Sequence, residues 1–234
     1  MQFNEEIILK DLNLANFELK AHQVIDSTND ECKRIISNKD ILVVNSDKQN
    51  KGKGLKGNKW QSPEGNISLS IAFADREFDV PISIATGILV KDALTEVFNL
   101  DSIKLKWPND LVFEKKKIGG ILVEKEVFSN YTKAIVGIGI NLELDKKESW
   151  WGDFGDLNGK NLRDKIINKI LVKFEALFRS GLNDWKNLWN QSCIHNDAII
   201  SVARNEEIIK GKYLGINDFG ELLLERELVE IISF

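Results

Sequence analysis

At 234 residues, 43% hydrophobic and 29% charged, the chain suffices for one large domain, or a medium domain plus a small one, around a real core. Thirty-two Lys and Arg against 36 Asp and Glu give a net charge of −4, which offers no general attraction to nucleic acid or to an anionic membrane surface. The most apolar stretch, Pro81 to Val90, is far shorter than the about 20 residues a bilayer span needs, and the acids in MQFNEEIILKDLNL do not suit a secretory signal.

Cys32 and Cys193 lie far apart and match no metal or redox spacing, so a reduced, cytoplasmic protein is expected. In chain order, Ser27 to Glu31 opens a short helix in which Thr28 and Glu31 fit the S/T-x-x-E capping box. The apolar run Ile41 to Val44 reads as a buried strand, ending where polar residues begin. Asn45 to Gly65, with Gly52, Gly54, Gly57 and Gly65 among lysines, is too loose for a regular element. Asn66 to Ala74 alternates polar and apolar residues as a strand does. Pro81 to Phe98 suits a helix with Ile84, Ala85, Ile88 and Leu89 on its buried stripe.

Strands are expected at Ser102 to Lys106, Leu111 to Phe113, Ile118 to Val127 and Thr132 to Leu142, the last two as a hairpin. Leu162 to Phe178 is an amphipathic helix carrying Ile166, Ile170, Phe174 and Leu177, and a shorter helix covers Leu182 to Trp189. Four short β-like runs follow: Ala198 to Val202, Glu207 to Leu214, Glu221 to Glu225 and Leu228 to Ile232. Their close spacing suggests a small barrel or sandwich. The expected organisation is a mixed α/β domain over 1–191 and a small β domain over 192–234.

Gly52-Lys53-Gly54-Leu55-Lys56-Gly57 satisfies G-x-G-x-x-G, but the dinucleotide reading needs a helix to begin there, and NKWQSPEGN follows instead. The G-K-S/T ending of a phosphate loop is also absent. What remains is a basic, glycine-rich loop able to close N–H groups and lysines around an anion, although taken alone it is more simply a solvated loop. Lys106-Trp107-Pro108-Asn109-Asp110 places polar side chains at a strand end, either as an ordinary Asx turn or as ligand contacts. Gly119-Gly120, and Gly137 and Gly139 in the next strand, allow close approach by a ligand or another backbone.

Together these segments resemble the biotin protein ligases. The match runs through Ser27-Thr28-Asn29, Gln49, Gly52 to Trp60, Ser62-Pro63-Glu64-Gly65-Asn66, Lys106 to Leu111, Lys117 to Leu122 and Gly137 to Asn141, in the family's order. Gly215 to Leu222 looks like that family's C-terminal SH3-like domain. The resemblance implies an α/β (α+β) mixed-sheet domain of the class II aminoacyl-tRNA-synthetase and biotin-ligase type. It also implies a two-step reaction, in which biotin is activated with ATP to biotinyl-5′-AMP and then transferred to a lysine of a biotin carboxyl carrier protein. By the same resemblance Lys117 is the catalytic lysine. Ser27, Thr28, Asn29, Gln49, Gly52, Lys53, Gly54, Leu55, Lys117 and Gly120 contact biotin. Lys53, Trp60, Asn109, Asp110, Lys117 and Asn141 border ATP or the adenylate, and Asp110 suits Mg²⁺, a hard ion that seeks oxygen. Lys115 and Lys116 are expected to be solvated turn charges.

The chain departs from the family where arginines give way to Lys53, Leu55 and Asn58. Lysine is a point charge where arginine forks onto phosphate, and Leu55 carries no charge at all. Repressor members add a DNA-binding domain before the catalytic one; with 26 residues before Ser27, none basic enough to suggest one, the short monofunctional type without DNA binding is expected, as monomer or homodimer. The competing readings are a lipoate or octanoate ligase of the same superfamily and a non-catalytic biotin binder.

Overall fold

The computed structural model describes residues 3–76, 78–145, 148–204, 207–225 and 231–233. Two elements precede the first expected one: a single helical turn α1 (Glu5–Ile8), capped by the Asn4 side chain, and strand β1 (Phe17–Ile25). Seven strands then form one mixed sheet in the order β1-β2-β3-β7-β6-β5-β4. These are β2 (Ile41–Gln49), β3 (Ile67–Ala74), β4 (Lys104–Lys106), β5 (Asp110–Phe113), β6 (Lys116–Val127) and β7 (Thr132–Ile140). Only β1 and β2 pair in parallel, with Phe17 opposite Ile41. The other neighbours are antiparallel, including the β6–β7 hairpin. A parallel pair cannot be joined by a tight turn, and α2 (Thr28–Arg34) makes the crossover between β1 and β2.

Two local expectations are corrected. The cap of α2 is Ser27 rather than Thr28: its hydroxyl accepts from the Asp30 N–H, and Thr28 is the first helical residue, its own hydroxyl turned to neighbouring side chains. Strand β2 does not stop at Val44 but continues through Asn45, Ser46 and Asp47, all buried. The reason is pairing on both flanks, with Asn45 opposite Ala21 of β1 and Leu69 of β3. A central strand satisfies its backbone through its neighbours, whatever the polarity of its side chains.

On one face of the sheet, Cys32 of α2 packs with Leu42, Val44, Ala72 and Ile135. On the other face lie α3 (Ile82–Phe98) and α4 (Arg163–Ser180), which carry the expected stripes of Ile84 and Ile88, and of Ile166, Ile170, Phe174 and Leu177. After α5 (Trp185–Ser192) comes a four-stranded antiparallel sheet built of β8 (Ile199–Arg204), β9 (Glu207–Ile216), β10 (Leu222–Glu225) and β11 (Ile231–Ser233). Leu228 to Glu230 of the last expected run lie outside the described residues. The small sheet shares the main core through Tyr213, Ile216, Leu222 and Leu224. Trp189 Nε1 donates to Tyr213 Oη at 3.1 Å, and Trp107 Nε1 donates to the Gly220 carbonyl at 3.0 Å.

Both cysteines are free and buried, and burial pushes the Cys32 thiol up to about 12. Among the described residues no helix is long and apolar enough to cross a membrane.

One buried ion pair ties these layers together. Arg163, the first residue of α4 and 1% exposed, donates to Asp47 Oδ1 on β2; the same oxygen accepts from Gly65 N at 3.0 Å. The Phe3 ring lies 3.9 Å from the guanidinium. Burial raises the Asp47 carboxyl, but the Gly65 N–H and Arg163 are among the groups that bring it below its ordinary value. Asp47→Asn should therefore cost about 3 kcal/mol at neutral pH, the lower end of the range for breaking a buried pair, because the guanidinium loses its closest carboxylate and keeps Asp164 at 3.4 Å from Nε. A carboxyl lowered in the folded state adds stability above its unfolded value of 3.8 and loses that contribution as pH falls through the folded value. Urea denaturation of the two proteins should show a wide gap at neutral pH that narrows only in acid below about pH 4.

Candidate active site

The middle of the sheet is stripped of side chains by glycines. Gly120 of β6 lies directly opposite Gly139 of β7 in the register. A Cβ on Gly119 would come within 2.7 Å of the Gly139 carbonyl and 2.9 Å of a Leu111 methyl. A Cβ on Gly137 would come within 2.5 Å of Asn29 Oδ1, and one on Gly139 would run into the Trp60 ring. Gly120, Gly137 and Gly139 thus make a backbone floor, and above it opens a cavity of about 520 Å³.

At one end of the cavity is a set of hydroxyls and amides. The Thr28 backbone N–H donates to Gln49 Oε1 at 2.8 Å, and Thr28 Oγ1 lies 3.1 Å from the same oxygen. Ser70 Oγ lies 2.7 Å from Thr28 Oγ1 and 2.6 Å from Asn29 Oδ1. The turn from β1 into α2 sets Ser27, Thr28 and Asn29 here, each nearly fully buried, while Gln49 arrives from the end of β2.

The other end is built where β5 and β6 pair. The Asn109 side chain donates to the Ile121 carbonyl at 2.8 Å and the Asn109 backbone carbonyl accepts from Ile121 N at 3.0 Å, which fixes the turn that follows the cis Trp107–Pro108 peptide. That turn presents Asp110 across the strand pair to Lys117, with Nζ 2.6 Å from Oδ1. Lys117 Nζ also lies 5.7 Å from the centre of the Trp60 ring, within cation–π range. Asn141 Nδ2 donates to the Gly152 carbonyl at 3.1 Å. Lys115 and Lys116 are exposed, as expected of turn charges.

The glycine-rich loop closes one wall. Gly54 N donates to the Asn58 carbonyl at 2.7 Å and Trp60 N donates to Gly52 at 2.9 Å, so the loop folds back as a narrow ring. Its tip is a 3₁₀ turn (Leu55–Gly57) in which Lys56 and Gly57 take positive φ. Lys53 reaches Asp30 of α2 at 2.5 Å.

Of the residues singled out in the sequence, Ser27, Thr28, Asn29, Gln49, Lys53, Gly54, Leu55, Trp60, Asn109, Asp110, Lys117, Gly120 and Asn141 all line this cavity. Gly52 instead backs the loop, where a Cβ would press to 2.5 Å on the Trp60 carbonyl, and it lines the cleft on the loop's outer side. Sequence reasoning passed over Ser70, Glu124, Trp150 and Trp151. Trp150 and Trp151 line the cavity because two backbone hydrogen bonds strap their segment to Lys117: Lys117 N to Trp150 at 2.9 Å and Gly152 N to Lys117 at 2.8 Å. A Trp-Trp pair following a polar strand end is a local signal; Ser70 and Glu124 give none, since only the sheet register brings them to Asn29. Among the described residues no group of three His, Cys, Asp or Glu side chains is placed to hold a metal ion.

One ammonium set between a hydroxyl-and-amide pocket and an Asn/Asp pocket is suited to bringing two anionic molecules together. Residues 21–141 match the biotin/lipoate A/B protein ligase family, and the chain belongs to it. The bifunctional ligase/repressor BirA of Salmonella typhimurium is 28% identical over 219 residues, which is 87% of this chain and 68% of that protein. The biotin–[acetyl-CoA-carboxylase] ligase of Mycobacterium tuberculosis is 29% identical over 178 residues, 69% of this chain and 62% of that protein. The fold matches a biotin protein ligase from Aquifex aeolicus, solved in complex with biotin and ATP, with a TM-score of 0.75 at 24% identity, covering 93% of this chain and 95% of that one.

The floor is testable without a ligand. Gly137→Ala should lower stability by about 1–3 kcal/mol, the range for overpacking a filled site, because the new methyl meets the pinned Asn29 amide; urea denaturation midpoints measure it.

Proposed function

We propose that the chain is an ATP-dependent biotin protein ligase. The observation that carries the reading is the position of Lys117, in one cavity with the Ser27–Thr28–Asn29–Gln49 set on one side and Asn109, Asp110 and Asn141 on the other. Biotin's ureido ring has the N–H and C=O groups that hydroxyls and amides can satisfy. A lipoyl or octanoyl head would leave those groups unpaired, which is why biotin is favoured over the superfamily's other acids.

In the first step a biotin carboxylate oxygen attacks the α-phosphorus of ATP, and the bond to the bridging oxygen breaks with release of pyrophosphate. In the second, the ε-amine of a carrier lysine attacks the carbonyl of the mixed anhydride, and AMP leaves. No protein nucleophile is needed. The Lys117 ammonium lies where it can bridge the two anions and offset their repulsion as they approach. Trp60, Trp150 and Trp151 wall the cavity and keep water from the hydrolysable adenylate.

Asp110 is the one carboxylate among the described lining residues. That donor set fits Mg²⁺, which is typically bound by one or two carboxylates plus substrate phosphates; the ion would neutralise charge on the triphosphate, with Asp110 as its protein ligand. The proposed division places the biotin and ATP sites in 1–191 and an SH3-like unit in 192–234. The proposed carrier is the biotin carboxyl carrier protein of a carboxylase. Two buried, unpaired thiols suit a cytoplasmic setting.

Biotin-dependent exchange of labelled pyrophosphate into ATP tests the reading. Wild type should exchange, and Lys117→Ala should lose the exchange by at least about a hundredfold, the usual scale for removing one charge-stabilising group from a reaction centre. Wild-type protein that fails to exchange beside an active ligase would refute it.

Leu55 gives a second expectation. It lines the cavity where the family carries arginine, so the adenylate lacks one charge-assisted contact, which is worth about 1.5–3 kcal/mol. Leu55→Arg should slow release of biotinyl-5′-AMP by about tenfold to a hundredfold, as measured by rapid filtration of the labelled adenylate; equal off-rates would remove Leu55 as the cause.

A further inference from the structure

We propose that Lys59, set opposite Lys53 across the glycine-rich loop, completes a two-ammonium site that receives the pyrophosphoryl end of ATP and releases it as pyrophosphate. This rests on the ligase reading above and deepens it.

The loop is a small antiparallel ladder. Its two hydrogen bonds, Gly54 N to the Asn58 carbonyl and Trp60 N to the Gly52 carbonyl, flank Lys53 and Lys59 and leave them directly opposite each other. Residues so paired carry their side chains on the same face, and a pair flanked by its hydrogen bonds is the closer kind, with Cα atoms about 4.5 Å apart. Like charges directly opposite destabilise such a pair. Lys53 finds partial relief on Asp30 of α2, but that carboxylate also lies 3.6 Å from Lys33. Lys59 is exposed and has no carboxylate partner among the described residues.

The surroundings add charge of the same sign. From Lys48 to Gln61 the chain holds five lysines and no acid. All five line the cleft on the loop's outer side, a space of about 1170 Å³ whose described carboxylates are Asp145 and Glu124, the latter held by Lys33. Lys53 and Lys59 line both that cleft and the inner cavity, so the pair stands at the mouth between the two. With Leu55 and Asn58 uncharged, these two are the loop's cations on the inner cavity.

The reaction identifies the anion. Biotin's carboxylate meets the α-phosphate at Lys117, and its far end is a neutral ureido ring. AMP keeps its phosphate beside Lys117 until the second step, whereas pyrophosphate departs after the first and carries the larger charge. Two ammoniums on one face suit that group, which offers each an oxygen and cancels their mutual repulsion. A single carboxylate would cancel one charge of the two.

Lys59→Gln removes the charge from an exposed position. In pyrophosphate exchange its KM values for ATP and for inorganic pyrophosphate should both rise about tenfold, the lower end of the range for one charge-assisted hydrogen bond, because water reaches the site. The biotin KM and kcat should stay within about twofold, and Lys59→Arg should keep wild-type values. Stability should not fall with affinity: with the like charges separated, the urea midpoint of Lys59→Gln should equal or exceed that of wild type. Added salt should raise the pyrophosphate KM of wild type more steeply than that of the variant, since salt screens the charge that the variant lacks. Unchanged KM values for ATP and pyrophosphate in Lys59→Gln, an equal rise in the biotin KM, or a rise confined to the KM for the carrier protein would each overturn the assignment. Wild-type protein without exchange would overturn it together with the reading beneath it, whereas normal wild-type exchange with an unaffected Lys59→Gln would overturn the assignment alone.

Discussion

Trp60 can lie across the sheet only because Gly139 has no side chain, and Asn29 can reach the sheet only because Gly137 has none. Both glycines lie on β7 and Lys117 on its partner β6, so the residues that clear the floor and the lysine that faces it are fixed by a single β6–β7 register. A one-residue slip would turn every side chain of a strand to the other face, closing the cavity and removing its lysine together. The length of that hairpin and its burial between helices on both faces hold the register, and the buried Asp47–Arg163 pair holds β2, the strand beyond β3 that delivers Gln49.

Much of this was legible in the residues themselves. Regular apolar stripes gave α3 and α4, and alternation gave β3. The glycine and polar signatures at 52–60, 106–111, 117–122 and 137–141 marked segments that the structure gathers around one cavity. The failures share a physical origin. Asn45-Ser46-Asp47 is polar yet central in the sheet, because pairing on both sides overrides side-chain preference. β1 lies at the sheet edge with every side chain but Phe17 half-exposed or exposed, so its pattern is weak. Ser70 and Glu124 matter through contacts 41 and 95 residues away from Asn29, and no local pattern encodes those.

Two of the three lysines that line the site are already engaged. Lys117 holds Asp110, and Lys53 holds Asp30. At these two a ligand anion therefore exchanges one carboxylate partner for another instead of meeting a bare ammonium, and its net gain is the difference between two ion pairs. The exchange also links the two ends of the cavity: freeing Lys117 leaves Asp110 available to a cation beside it, and freeing Lys53 loosens the loop from α2. Occupation of the site and movement of its wall are thus coupled by charge.

The inaccessibility of the two thiols has a practical side. Cys32 is fully buried and its thiol resists ionisation, and Cys193 is buried against Tyr213 and His195 with its thiol also raised. Alkylating dyes attack thiolates that they can reach, so the native chain is silent toward them without any cysteine being removed. A single cysteine introduced at exposed Lys51, at the root of the glycine-rich loop, would be the lone labelled position. The molecule is in that sense prepared for optical measurement of its own loop motion in an otherwise unaltered background.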